Sequence, residues 1–453
     1  MTSQVRPSLR ATTIRASYFV LPQCPVFFDQ NTETVTTKTI SALQIADIMS
    51  QSYWKRCFAL FFLAQIHGFV IHSSIRNLQK TQRSDHHLHV SSSSTDVETL
   101  TNNLAKLKKV ISREYITFFD PMETQYYAND VTFDDPMTSL SGVQSYKNNV
   151  DMLASRTLLG KILFQDAGIV LHNISGGLVN DDGSIQDIVT RWTLKMTFKI
   201  LPWCPTARFT GISVYKVVKD TTAAGVSIVK QQDYWDSINI LPNSGGAYQT
   251  VDKGKAVNDF IGQISPGGFT AKEAAPELPY QLLRRGDGYE VRMYPSHTGL
   301  KLPYKRRDEG FGSLGAFTKG MSPLGPAIMD VQADDVSDKY MMWPLTYAKP
   351  GEKEAPIPKD AVEKAGEGQW RTMKVVTIPE SVVAVREFTD ASMEPVVRKA
   401  DRELRALLDR DGLKASQNSE DLVRFAQYDA IFSMGRRRGE VWIELAEDGH
   451  PWN

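Results

Sequence analysis

From Ile188 to Ile200 the chain alternates without a break. Ile188, Thr190, Trp192, Leu194, Met196, Phe198 and Ile200 fall on one side, and Val189, Arg191, Thr193, Lys195, Thr197 and Lys199 on the other. A period of two over that length is a long strand with one buried face. Further strands are expected at Ile162–Ile174, Thr206–Val218 and Val226–Tyr234, with hairpin turns at Asp181-Asp182-Gly183 and near Gly225. Ahead of them Leu100, Leu104, Leu107, Ile111, Tyr115 and Phe118 recur at helical spacing. Pro121 is expected to open a short helix through Tyr127, Asp134-Asp135-Pro136 a turn, and Val143–Leu159 another helix. Helices first and long strands after predict an α+β layer, a curved antiparallel sheet wrapped on helices.

A second pattern begins near Pro279. Tyr289–Tyr294 and Val383–Phe388 both alternate and share Val-Arg-x-aromatic. A helix is expected after each, at Phe311–Gly320 and Ser392–Asp409. The second is amphipathic through Val396, Val397, Ala400, Leu404, Leu407 and Leu408, and Gly412 suits its C-terminal cap. Strands follow at Ala327–Gln332 and Tyr340–Tyr347, then at Leu422–Tyr428 and Glu440–Leu445. The pattern predicts a β-α-β-β unit used twice. Leu241–Leu278, rich in Gly, Pro, Ala and Lys, reads as a connector with a short helix at Val257–Ile261. The organisation expected is a segment 1–95, an α+β domain 96–240, a linker 241–278 and a duplicated domain 279–453.

The front segment differs in kind. Before Asp96 there are nine basic and four acidic residues, in a chain that balances 52 basic against 52 acidic overall. The balance gives no reason to expect a nucleic-acid partner. No Asp or Glu occurs in the first 28 residues, which carry Arg6, Arg10 and Arg15 among Ser and Thr. Lys55 and Arg56 precede an apolar run, Cys57–Ile71, too short for a stable transmembrane span but suited to a signal core. Ser73–Ser94 is Ser-rich and acid-poor. The arrangement resembles the bipartite presequence of algae with complex plastids, with Met49 as the expected true start. It implies a plastid address; the alternative is a cytoplasmic protein with a disordered N-terminus. Of the three cysteines only Cys204 lies beyond this segment, so neither an internal disulfide there nor a thiolate zinc site is expected.

Tyr126–Ala128, Asp130, Phe133, Asp135-Pro136, Gly142 and Tyr146, in this element order, resemble a plant and algal family of uncharacterised SnoaL-like proteins. Their fold is the cone of the nuclear-transport-factor-two superfamily. That resemblance implies that Asp134, Asp135, Asp233 or His172 could serve as a buried base. An Asp-Pro step more often makes a turn, and a lone strand histidine more often packs, so no catalytic residue is assigned.

Tyr289-Glu290-Val291-Arg292, Val383–Phe388, the helix Arg398–Leu408, Phe425-Ala426-Gln427-Tyr428-Asp429 and Arg436-Arg437-Arg438-Gly439-Glu440-Val441-Trp442-Ile443 together resemble the SOUL haem-binding family. The family fold is a distorted β-barrel with two flanking helices, also seen in bacterial effector-binding domains. The chain departs from the family pattern after the first helix, where Met321-Ser322-Pro323 follows Gly320 and Ile328-Met329-Asp330-Val331 replaces a Met-Thr-x-Pro-Val segment. The resemblance implies a haem or related porphyrin as cofactor and partner. Such a ligand needs an apolar wall, cations for its propionates and an optional axial ligand. The candidates are Met293, Phe311, Leu314 and Met321 for the wall; Arg292, Arg436, Arg437 and Arg438, with Arg306 and Arg307 beside them, for the propionates; and His297 for the metal.

The reading is a non-catalytic haem or tetrapyrrole carrier or buffer. The alternatives are an enzyme or small-ligand binder that uses the cone, with the SOUL domain as sensor, and a structural or interaction protein without haem.

Overall fold

The computed structural model describes residues 94–238, 253–265, 277–286, 288–318, 322–323, 325–332, 339–344, 346–348, 355–356, 363–389, 394–428 and 438–452. The expected presequence with its start at Met49, the apolar run Cys57–Ile71, the Gly-rich breaks of the linker, Met321, Arg436 and Arg437 all lie outside the described residues. Everything described belongs to one compact unit, Leu60–Asn453.

The N-terminal module is built from α1 (Ser94–Ile116), β1 (Tyr127–Asp134), β2 (Ser139–Ser141), α2 (Val143–Leu153), α3 (Leu158–Leu163), β3 (Phe164–Gly176), β4 (Ile188–Phe198), β5 (Thr206–Lys219) and β6 (Val226–Trp235). Its six strands run β2-β1-β6-β5-β4-β3, antiparallel except for the β1–β6 pair. The apolar stripe foreseen on α1 is buried at Leu100, Leu104, Leu107, Ile111 and Tyr115. The expected helix through Tyr127 is only a short 3-10 turn, Thr124–Tyr126, and Tyr127 instead starts β1. The helix expected over 143–159 is two. Thr157 caps the second, its hydroxyl accepting from Gly160 N at 3.0 Å. The two pack so closely that a side chain on Gly160 would meet Met152 O at 2.2 Å.

The long alternating strand is β4, and its outer face is buried in large part, with Lys195 left exposed. Trp192, Leu194, Met196 and Phe198 point into the cone, while Arg191, Thr193 and Thr197 on the other face are buried too. Arg191 reaches Ile238 O, and Thr193 Oγ1 donates to Leu282 O at 2.6 Å. The cover is a strand from the C-terminal module, and polar side chains suit it because they meet backbone carbonyls.

Helix α4 (Lys253–Ile264) occupies the middle of the expected linker and is twice the length foreseen. It is not a surface connector: it packs on β5 and β6 and sends Phe260 into the cone's aromatic interior.

The C-terminal module contains β7 (Gln281–Gly286), β8 (Tyr289–Tyr294), β9 (His297–Tyr304), α5 (Arg307–Phe317), β10 (Ser322–Pro323), β11 (Ala327–Gln332), β12 (Lys339–Pro344), β13 (Thr346–Ala348), β14 (Ala355–Pro356), β15 (Lys374–Ile378), β16 (Ser381–Phe388), α6 (Glu394–Asp411), β17 (Leu422–Gln427) and β18 (Gly439–Glu444). Nine strands form one antiparallel, barrel-like sheet, β15-β9-β12-β11-β17-β18-β16-β8-β7; β10, β13 and β14 form a small second sheet. Without β7 the order is its own mirror under exchange of β8 with β15, β9 with β16, β11 with β17 and β12 with β18. The duplication is therefore real, but each unit holds one strand more than the sequence pattern predicts, β9 in the first and β15 in the second. The two Val-Arg strands are not equivalents in this symmetry. They pair with each other, Val383 opposite Arg292 and Val385 opposite Glu290.

Helices α5 and α6 cover one face of the sheet. Leu314, Phe317, Val397, Ala400, Leu404 and Leu408 pack there on Val291, Leu300, Met329, Met341, Phe425 and Val441. The other face carries a smaller cluster with Tyr294, Ile328, Met342, Val383, Ala426 and Trp442. Among the described residues no helix is long and apolar enough to cross a membrane.

Candidate functional site

Each module has a concavity large enough to hold a small molecule. The C-terminal groove opens between the start of α5, the start of α6 and the strands beneath. Its floor is Val331, Val397, Val423 and Phe425, and among the described residues its rim carries Lys305, Arg307, Lys339 and Arg398 with Glu394 as the one carboxylate. It encloses about 670 Å³ counting its mouth. Arg398 bonds Glu394 at 2.9 Å, an i,i+4 pair on the helix surface. Arg307 contacts Gln427 Oε1 at 3.4 Å. The Tyr304 phenol, at the end of β9, is pushed up to about 12 by burial, so it keeps its proton.

Apart from Arg307, the described residues singled out in the sequence lie elsewhere. Leu314 is fully buried in the core, and Phe311 packs edge-on against Trp343. Met293 is half-buried against the same core. Arg292 is 4% exposed and is held by Glu290, Glu440 and the Tyr294 hydroxyl, with its guanidinium over the Tyr280 ring. Arg438 is bound by Glu440 and Glu277 and lies over Tyr428. Arg306 pairs with Asp308 next to it. His297 opens β9, and its ring bonds Pro295 O through Nδ1 at 3.0 Å, so that Nε2 carries the lone pair; that atom is buried and has no hydrogen-bond partner. Seven residues of strand separate His297 from Tyr304, about 23 Å at the usual rise. Of the named cations among the described residues, Arg307 reaches the groove and Arg292, Arg306 and Arg438 do not line it. Lys305, Lys339 and Arg398 carry no local motif, and only the fold brings them together.

The second concavity is the interior of the cone, about 830 Å³ counting its mouth. Trp192, Phe209, Trp235 and Phe260 wall it, with ring centroids 4.7 to 6.0 Å apart. Of the four side chains weighed as bases, Asp233 and Asp135 line this space. Asp233 Oδ1 accepts from Gln231 Nε2 at 2.9 Å, and Gln231 accepts from the Tyr146 hydroxyl. Burial pushes the Asp233 carboxyl up to about 7. Asp134 faces Lys230 on the outside. His172 lies between the modules, bonded to Thr193 and Gln281. Among the described residues no group of three or more His, Cys, Asp or Glu is placed to hold a metal.

A helix-backed cone joined to a duplicated barrel-like sheet defines a two-module α+β protein with a concavity in each module. Residues 275–444 match the family described as SOUL heme-binding protein, and residues 105–224 match the uncharacterized conserved protein family DUF2358. The C-terminal module is thus the part of the chain similar to the SOUL family, and the N-terminal module the part similar to DUF2358. No curated protein matches the chain. Similar solved structures include a hydrolase from Listeria innocua, 13% identical over 39% of this chain and 96% of that one, TM-score 0.26. A nuclear transport factor 2-like superfamily protein from Salmonella enterica is 13% identical over 33% of this chain and 98% of that one, TM-score 0.25. A polyketide cyclase from Xanthomonas campestris is 13% identical over 30% and 90%, TM-score 0.22.

Proposed function

We propose that the SOUL module is a non-catalytic carrier or buffer for a haem or related tetrapyrrole, held in the groove between α5 and α6. The observation that carries this reading is the rim of Lys305, Arg307, Lys339 and Arg398 over a floor of Val331, Val423 and Phe425. An amphiphile with one flat apolar face and two carboxylates matches that distribution, and the family's haem binding points to the same ligand class. The residues fit the propionates and the ring face. Among the described residues no imidazole, thiolate or thioether lines the groove, and the Tyr304 phenol is protonated in the free protein. A bound tetrapyrrole would therefore be recognised by its carboxylates and its face, with iron contributing little. Burying one porphyrin face at about 25 cal/mol per Å² supplies several kcal/mol, less ordering costs, which suits micromolar binding, near −8 kcal/mol.

The experiment is a titration of the full chain with haemin and with metal-free protoporphyrin. Similar affinities for both, lost together in a Lys305→Glu, Lys339→Glu variant, support the reading. Binding of haemin alone, or equal binding by that variant, overturns it. The acid-poor front segment adds the proposal that this carrier works in a plastid, tested by imaging a fluorescent fusion of residues 49–94 in an algal host; a diffuse cytosolic signal would end that part.

A further inference from the structure

The interior of the cone is chemically unlike the SOUL groove. Among the described residues its lining contains no lysine, arginine or histidine. It has two carboxyl groups, Asp233 inside and the half-exposed Asp135 at the mouth, and walls of Trp192, Phe209, Trp235 and Phe260. Among the described residues an anion would meet no cation here, so this lining does not suit tetrapyrrole propionates. A carboxylate set among aromatic faces is what a desolvated organic cation requires: the ring quadrupoles attract it, and the carboxylate neutralises it. We propose that the cone binds a small organic cation, a single-ring or similarly compact body bearing a quaternary or substituted ammonium group, with Asp233 as its counter-ion.

Several features aim the site. Trp192 is fixed by its indole N–H on Ser213 Oγ at 2.8 Å, which holds the ring flat on the wall. Gln231 is locked between Tyr146 and Asp233, so one Asp233 oxygen is committed and the carboxyl plane is set. Phe260 comes from α4 and Trp235 from the end of β6, both beyond the span that matches DUF2358. The cavity is thus completed by chain that the family match does not include. The groups facing Asp233 are Tyr115 from α1, Tyr146 from α2, Tyr215 from β5 and Asp135 after β1. Burial pushes the three phenols up, so they stay neutral, and among the described residues no facing group supplies positive charge. An empty cavity accordingly favours the protonated carboxyl, and a cation entering it displaces that proton to solvent.

The test is calorimetry on the full chain with benzyltrimethylammonium, with neopentylbenzene, its neutral carbon isostere, as competitor and phenylacetate as the anionic control. The cation should bind, and phenylacetate should not. Affinity should rise about tenfold between pH 6 and pH 8 as Asp233 gives up its proton before binding. Asp233→Asn should flatten that pH profile and weaken the cation by about tenfold or more. If that variant does not fold, as judged by circular dichroism, the pH profile and the charge comparison on the natural chain decide. Equal affinity for the neutral isostere, binding of phenylacetate, a pH-independent cation affinity, or no binding of the cation would each overturn the proposal.

Discussion

Glu440 and Arg292 meet at 3.1 Å in the interior of the SOUL module, with Glu440 wholly buried. Glu440 also accepts from Tyr428 at 2.7 Å, Arg438 at 2.7 Å and Trp442 at 3.0 Å. Its carboxylate raises the Arg292 guanidinium far above its ordinary value against a burial that would lower it. Such a network is costly to halve, because one buried charge is left without its partner.

Glu440→Ala should therefore cost about 3–5 kcal/mol in chemical denaturation, since Arg292 stays buried. Arg292→Ala should be comparably damaging. A loss below about 1 kcal/mol for either would place these charges in water and not in a core. The Arg292 change should lower porphyrin binding only in proportion to the unfolded fraction, which separates a structural arginine from one that holds a propionate.

The groove cations make a different forecast. They sit at a solvent-facing rim, so their attraction for a dianionic ligand is screened by salt. Protoporphyrin affinity should fall on going from about 0.05 to 0.5 M salt, and Arg307→Glu should both weaken binding and flatten that dependence. His297→Ala should leave affinity for haemin and for metal-free porphyrin unchanged, because a ligand in the groove is about 23 Å along β9 from that ring. A Soret shift in His297→Ala would place the iron at the other end of the strand.

How much of this could be read in the sequence follows from where each signal lives. The β4 alternation, the α1 stripe and the amphipathic α6 are local and periodic, and they stand where expected. β1 was missed because Asn129, Asp130 and Asp134 are poor strand formers and Pro121 suggested a helix. The outer face of β4 looked solvent-facing because its partner, Leu282, lies 89 residues away. The same logic governs the sites. Asp233 could be suspected as a carboxylate in a strand, but its protonation depends on rings from three other elements. Lys305, Lys339 and Arg398 gave no signal at all, since a groove rim is a property of the assembled sheet and helices. Arg292 did give a signal, and it marked a core ion pair.

Asp236 holds a tight place between the modules. Its backbone is left-handed, with φ 54°, its O accepts from Arg284, and one carboxyl oxygen is buried without a partner. Burial, more than any charge, raises its carboxyl to about 7. A raised folded value means the fold favours the neutral acid, so this stabilisation is full below the ordinary carboxylate range and is lost as pH climbs through about 7. Asp236→Asn keeps the neutral shape and tolerates the same φ. It should match the natural chain near pH 4 and exceed it at pH 8, by about 1–3 kcal/mol. If Asp236→Asn is instead less stable at pH 8, Arg284 is holding an ionised carboxylate there.

His172 titrates in the opposite sense. Gln281 Nε2 is 3.1 Å from its Nδ1 and Thr193 Oγ1 is 2.7 Å from its Nε2. Thr193 gives its own proton to Leu282 O, so its oxygen accepts from His172 Nε2–H, and Nδ1 accepts from the amide of Gln281. The ring is then a neutral tautomer with both nitrogens used. A proton added at Nδ1 would point at another N–H. Burial lowers its value to about 4. The unfolded chain takes up this proton near the ordinary histidine value, about 6.5, so stability falls as pH drops from there to about 4. His172→Gln should remove that acid-side slope from the denaturation profile while lowering stability at neutral pH. Thr193→Val should leave the Leu282 carbonyl buried and unpaired at a cost of about 1–3 kcal/mol. It should also expose Gln281–Gly286 to faster amide exchange. An acid limb that is the same in His172→Gln as in the natural chain would mean that the proton is taken up elsewhere and that the ring at this junction is already charged.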